Sequence, residues 1–310
     1  MSTVKKKKIK IKKKNFAIFI IVIILLIYSF GQIIFLTIKL ISSEDKPIQV
    51  EKSPKKEKKE LTEEEKKLQI LNNINEEITY FNKDFLDRYI QYKENHSTLS
   101  DEQIIKDVNM NLDILPYENT KEAQNINTEK VLVNKHYHLS EDFVPDNLIT
   151  INQQYALSDM KLVEVAAKAF ESMAKNAKKE KLNIVAMSSY RSYEYQVNLY
   201  NRYKKEDGQE KADTYSGRPG YSEHQTGLAV DVYNNVENYT NFEKTKEYTW
   251  MQEHAHEYGF ILRFPKEKEQ ETGYQFESWH YRYVGAEAAT YIKENNISFE
   301  EYYATIIKDW

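Results

Sequence analysis

The stretch Ser222-Glu223-His224-Gln225-Thr226-Gly227-Leu228-Ala229-Val230-Asp231, read together with Glu277-Ser278-Trp279-His280 further along, decides how this chain of 310 residues is understood. The two segments supply two imidazoles and a carboxylate, a sufficient donor set for a catalytic zinc. Such an ion takes three N and O ligands from the protein and keeps a fourth position for water. Gly227 and Ala229 are small where the chain between His224 and Asp231 has to pass close to the metal, and entry into a strand fixes the direction of the Asp231 side chain. Glu277, three residues before His280, can lie beside the ion without ligating it. Taken singly, His224 and His280 read as hydrogen-bonded structural residues and Asp231 as a turn cap; their conjunction points to metal chemistry. The chain has no cysteine, so thiolate sites, thiol nucleophiles and disulfides are excluded and any metal depends on His and carboxylates.

Outward from these segments, 227–233 and the aromatic, β-branched 279–284 read as strands, and 182–187 as a buried strand. Leu162, Val165, Ala166, Phe170, Met173 and Ala177 recur as one apolar stripe of a helix. Further helices are expected over 194–205 and over 245–258, the latter closed by Gly259. Helices cluster ahead of the later strands, so the class is α+β, a small, mainly antiparallel sheet flanked by helices. His254 and His256, two apart on an expected helix, face different ways; His136 and His138 can share a strand face but lack a neighbouring motif. With His96 they read as structural or surface residues.

The net charge of −4 is the difference between nine uncompensated lysines ahead of Glu44 and −13 after it, which makes nucleic acid a poor partner for the acidic remainder. Residues 1–14 read as a Lys-rich cytoplasmic tail. The uncharged run 16–36, within a segment 15–41, is long enough at ~1.5 Å per residue to cross a ~30 Å hydrocarbon core, and reads as a transmembrane signal-anchor that sends the rest outward. Residues 44–67, dominated by Lys and Glu, form a linker or stalk. Leu71, Ile74, Ile78, Phe81 and Phe85 then place an apolar face on a helix in an extension over 68–127, ahead of a catalytic domain at 128–310.

The pattern Ser-x-His-x-x-Gly-x-Ala-x-Asp followed by Glu-x-Trp-His resembles the zinc signature of the LAS-type peptidoglycan metallopeptidases. Three longer runs, 189–196, 220–227 and 279–285, are similar to the VanY-type D-alanyl-D-alanine carboxypeptidases, with coverage of roughly residues 128–308. The resemblance implies a LAS/hedgehog-like zinc peptidase fold, one zinc per chain bound by His224, Asp231 and His280, and Glu277 as general base. It also puts Arg191 in the site, as partner of a terminal carboxylate or of the developing oxyanion, with Arg218 and Arg282 as the alternatives. By motif position Gln196, Tyr221 and Ser222 become substrate hydrogen-bonders, while Trp279 packs beside the metal. The implied activity is removal of the terminal D-Ala from peptidoglycan stem peptides by a monomeric, membrane-anchored enzyme facing the cell wall. An L,D-carboxypeptidase, a D,D-dipeptidase, an endopeptidase and a catalytically inactive wall-binding module are the alternatives.

Overall fold

The computed structural model describes residues 62, 65, 78–236 and 238–309, all within one unit that runs from Leu61 to Trp310. The expected membrane anchor at 15–41 lies outside the described residues, as do nearly all of the linker and Leu71 and Ile74 of the amphipathic stripe. Among the described residues no helix is long and apolar enough to cross a membrane. The expected helix does not continue through Ile78 and Phe81. Asn82 accepts from the Asp84 amide and starts a new 3₁₀ turn at Lys83–Phe85, the kind of local competition that makes Asn a poor helix interior. Ile78, Phe81 and Phe85 still bury, against Tyr89 of α1 (Leu86–Asn95) and Ile104, Ile105 and Val108 of α2 (Asp101–Asn109). Ser100 caps α2 by accepting from the Gln103 amide. Lys106 to Glu301 at 3.2 Å and Asn111 to the Tyr137 hydroxyl at 3.2 Å tie this pair to the remainder.

Next, β1 (Lys121–Glu122) and β2 (Tyr137–His138) pair in parallel, and β3 (Leu148–Thr150) pairs antiparallel with β4 (Lys161–Val163). The chain passes straight from β4 into α3 (Glu164–Lys179). The helix therefore starts later than its apolar spacing suggests: Leu162 buries from the strand and Val165 is 52% exposed. Its buried stripe is Ala166, Ala167, Phe170, Met173, Ala174 and Ala177. The order continues with β5 (Val185–Ser188), α4 (Tyr193–Asp207), α5 (Gln209–Ala212), β6 (Ala229–Tyr233) and α6 (Lys246–His254). A 3₁₀ turn at Ala255–Tyr258 then ends at Gly259 in the left-handed region. Last come β7 (Phe260–Leu262), α7 (Glu269–Thr272), β8 (His280–Tyr283), α8 (Ala286–Asn295) and α9 (Phe299–Tyr302).

The central sheet runs β5-β6-β8-β7 with every pair antiparallel, in line with the expected α+β class. Strand alternation divides it into two faces. Ala186, Val230, Val232, Phe260 and Tyr281 join the apolar core with α3, where the rings of Phe170 and Phe260 meet edge-on at 6.2 Å. Each such large side chain contributes about 1.5–3 kcal/mol on burial. The opposite face carries Asp231 on β6 and His280 and Arg282 on β8, buried but polar.

Candidate active site

Asp231 and His280 are direct partners across the β6–β8 pair, so their side chains rise side by side, with Asp231 Oδ1 3.1 Å from His280 Nδ1. A register shift between Ala186 and Ser188 sets Ser188 opposite Asp231 at the edge of the site, a common place for a bulge. His224 comes from the 3₁₀ turn at Glu223–Thr226 that precedes β6. Gln225 fixes that turn by donating to the carbonyls of Ser140 and Phe143, and Thr226 by donating to that of Glu223. Gly227 closes it at φ +68°, where an added Cβ would meet Leu148 Cδ2 at 2.9 Å. Its small size answers to that packing and to the left-handed turn, rather than to approach to a metal.

His224 Nδ1 lies 2.7 Å from the Ser189 carbonyl, which only accepts, so Nδ1 carries the proton and Nε2 holds a lone pair. That lone pair is buried without a hydrogen-bond partner, 3.4 Å from Asp231 Oδ1. A lone pair facing a carboxylate in a dry site needs a cation between them. A tetrahedral zinc with ligands at ~2.0–2.1 Å gives ligand–ligand edges of about 3.3 Å, close to the 3.1 and 3.4 Å seen here. The donor atoms of His224, Asp231 and His280 lie within 4.8 Å of one another, and among the described residues this is the sole such group. The donor set fits zinc.

Glu277 is buried beside the trio, with Oε2 3.8 Å from His280 Nδ1. Burial, helped by Asp231, pushes its carboxyl up to about 8 against the opposing pull of His280 and Arg191. Burial and Arg191 push His224 down to about 4; His280 is drawn up to about 9, burial notwithstanding, by Asp231, Glu223 and Glu277. A cleft of about 550 Å³ opens over the site. Arg191 lines it with Nε buried and unpartnered, and the Arg191 amide bonds the His224 carbonyl at 3.1 Å, locking the β5–α4 loop to the ligand-bearing turn. Ser222 and Trp279 line the same cleft, Trp279 edge-on to Tyr239 at 5.1 Å.

The other expected substrate contacts sit elsewhere. Gln196 is buried and donates to the Gly217 carbonyl, shaping the 216–217 loop. Tyr221 bonds Thr120 and packs edge-on to Tyr117. Arg218 is held by Asp213 and lies over the Tyr117 ring. Arg282 is fully buried and spends its guanidinium on Glu223 and on the Glu129 and Val131 carbonyls. Sequence reasoning gave no role to Glu223, Arg263 or Glu300. Arg263, following β7, joins Glu223 at 2.8 Å and binds both oxygens of Glu300 on α9 at 2.8 and 2.6 Å. Burial alone would raise the Glu223 carboxyl, but Arg263 and Arg282 hold it well below the ordinary carboxylate range. The adjacency of Glu223 to His224 was the available signal.

A family model described as VanY, D-alanyl-D-alanine carboxypeptidase, matches residues 159–286. The Bacillus subtilis (strain 168) protein YodJ, named for an inferred carboxypeptidase activity, is 36% identical over 203 residues, covering 63% of this chain and 74% of its own length. Among solved structures, the LD-carboxypeptidase LdcB matches with a TM-score of 0.56 and 36% identity, over 61% of this chain and 92% of that one. VanYB, solved with D-alanine-D-alanine, matches with a TM-score of 0.50 and 29% identity, over 57% of this chain and 98% of that one. With a His224–Asp231–His280 donor set that fits zinc, the chain belongs to the VanY family of D-alanyl-D-alanine carboxypeptidases.

Proposed function

We propose that the enzyme removes the terminal D-alanine from peptidoglycan stem peptides ending in D-Ala-D-Ala, working from a membrane anchor on the outer side of the membrane as a monomer. The observation that carries the reading is Arg191, a cation on the cleft wall with a buried, unpartnered Nε and a charge that acts on both His224 and Glu277. A substrate cut one residue from its end brings a free carboxylate close to the scissile carbonyl, and a guanidinium matches that carboxylate in a bidentate way. The VanYB complex with D-alanine-D-alanine supports the same substrate end.

Zinc, when bound, supplies an activated water and polarises the scissile carbonyl. His224, Asp231 and His280 hold it. Glu277 Oε2 takes the proton of the attacking water and delivers it to the amine of the leaving D-alanine; a carboxyl raised by burial is a stronger base for this step. Arg191 orients the terminal carboxylate, and Trp279 against Tyr239 walls the cleft from bulk water. Eight lysines ahead of the apolar run 16–36 support the anchor, which would concentrate the enzyme where wall precursors emerge.

L,D-carboxypeptidase action is the second reading, favoured by the greater likeness to LdcB than to VanYB. Incubation of the purified protein with pentapeptide and tetrapeptide stems, followed by mass spectrometry, separates the two. Loss of one alanine from the pentapeptide is expected; loss from the tetrapeptide alone would replace the D,D reading by the L,D one, and release of a dipeptide would overturn both.

A further inference from the structure

The zinc ligand His280 has two ring nitrogens with different surroundings. Nδ1 faces Asp231 and Glu277, while Nε2 points away from the trio toward Glu223. His280 Nε2 and Glu223 Oε2 are both buried, both without a hydrogen-bond partner, and 3.6 Å apart. The other oxygen, Glu223 Oε1, already accepts from Arg263 Nε at 2.8 Å and from Arg282 Nη1 at 2.9 Å. The two guanidinium groups hold the carboxylate rigidly and leave Oε2 for the imidazole. Phe264, with its ring centroid 4.8 Å from that of His280, packs beside the imidazole.

We propose that Glu223 is a positioning residue for zinc: its Oε2 accepts the Nε2–H of His280, so that the Nδ1 lone pair stays aimed at the metal. A histidine ligand whose far N–H is held by a carboxylate keeps one tautomer and one ring orientation, and its lone pair is more basic. The 3.6 Å separation is just beyond hydrogen-bond length and must shorten by a few tenths of an ångström when Nδ1 holds an ion. Glu300 supports the arrangement at one remove, through Arg263 alone, and does not reach His280.

The inference rests on the zinc site and is tested on the full chain by chelator competition, with zinc as the titrant. Glu223→Gln is expected to bind zinc about 10- to 100-fold more weakly than wild type. Glu300→Gln strains the same buried Arg263 without touching His280, and is expected to stay within about threefold while losing comparable thermal stability. Wild-type affinity in Glu223→Gln would overturn the proposal. So would an equal loss of affinity in Glu300→Gln at matched stability, which would reduce Glu223 to a structural part of the network. Should Glu223→Gln not fold, Glu223→Asp keeps the charge but withdraws it by about 1.5 Å, and the same loss of affinity is expected of it. Wild-type protein that bound no zinc would refute the site itself, an outcome distinct from any of these.

Discussion

Arg263→Met tests the buried charge network that supports the site. Arg263 is 1% exposed and makes one bond to Glu223 and two to Glu300, itself 2% exposed. Methionine fills much of the same space but leaves Glu300 with Asn134 at 3.2 Å as its remaining donor from the network, and Glu223 with Arg282. Removing one partner of a buried ion pair costs about 3–5 kcal/mol, because the other charge stays desolvated and uncompensated. At roughly 2–4 °C per kcal/mol for a domain of this size, Tm should fall by about 6–20 °C. Circular dichroism melts at saturating zinc measure it. The double variant Arg263→Met/Glu300→Leu removes the orphaned carboxylate as well, and should melt above the single variant. A single variant melting within about 2 °C of wild type, or a double variant no better than the single, refutes the reasoning.

Other expectations follow from the site. Glu277→Ala should retain zinc while kcat falls by about 10²- to 10⁴-fold; turnover at the wild-type rate would show that the base is another group. Arg191→Lys should lower kcat/KM for stems ending in a free carboxylate and change little for the same stems capped as amides. An equal loss on both would place Arg191 at the oxyanion instead. His136, half-buried just before β2, is held down to about 4 by burial, against the pull of Glu300. Between pH 6.5 and 4 the unfolded chain therefore binds more protons than the folded one, so stability is lost as pH falls through that window. The loss is at most about 3 kcal/mol before solvent screening. His136→Gln should flatten that part of the denaturation profile, and an unchanged slope would contradict the assignment.

What the chain disclosed by pattern alone was local. Val230 and Val232 alternate with Asp231, and Tyr281 with His280, so two strands with one apolar and one polar face were legible before any pairing was known. Leu162 misled because it fits a helical stripe as well as it fits the strand it occupies, and three residues at Phe260–Leu262 are too few to reveal a period of two. Arg282 shares the face of His280, yet register sets it opposite Ala229, two pairs beyond the ligands, where Glu223 takes it. The Glu223–Arg263–Glu300 network joins residues 40 and 37 positions apart from three elements. In a chain with 30% charged residues, nothing local separates a buried charge from a solvated one.

The most direct test of the whole account is the metal content of catalytically active protein, measured by elemental analysis alongside His224→Ala and His280→Ala. One zinc per wild-type chain, lost with activity in both variants, is the predicted result. Full turnover by protein that carries no bound metal, or zinc retained at one per chain in both variants, would contradict it.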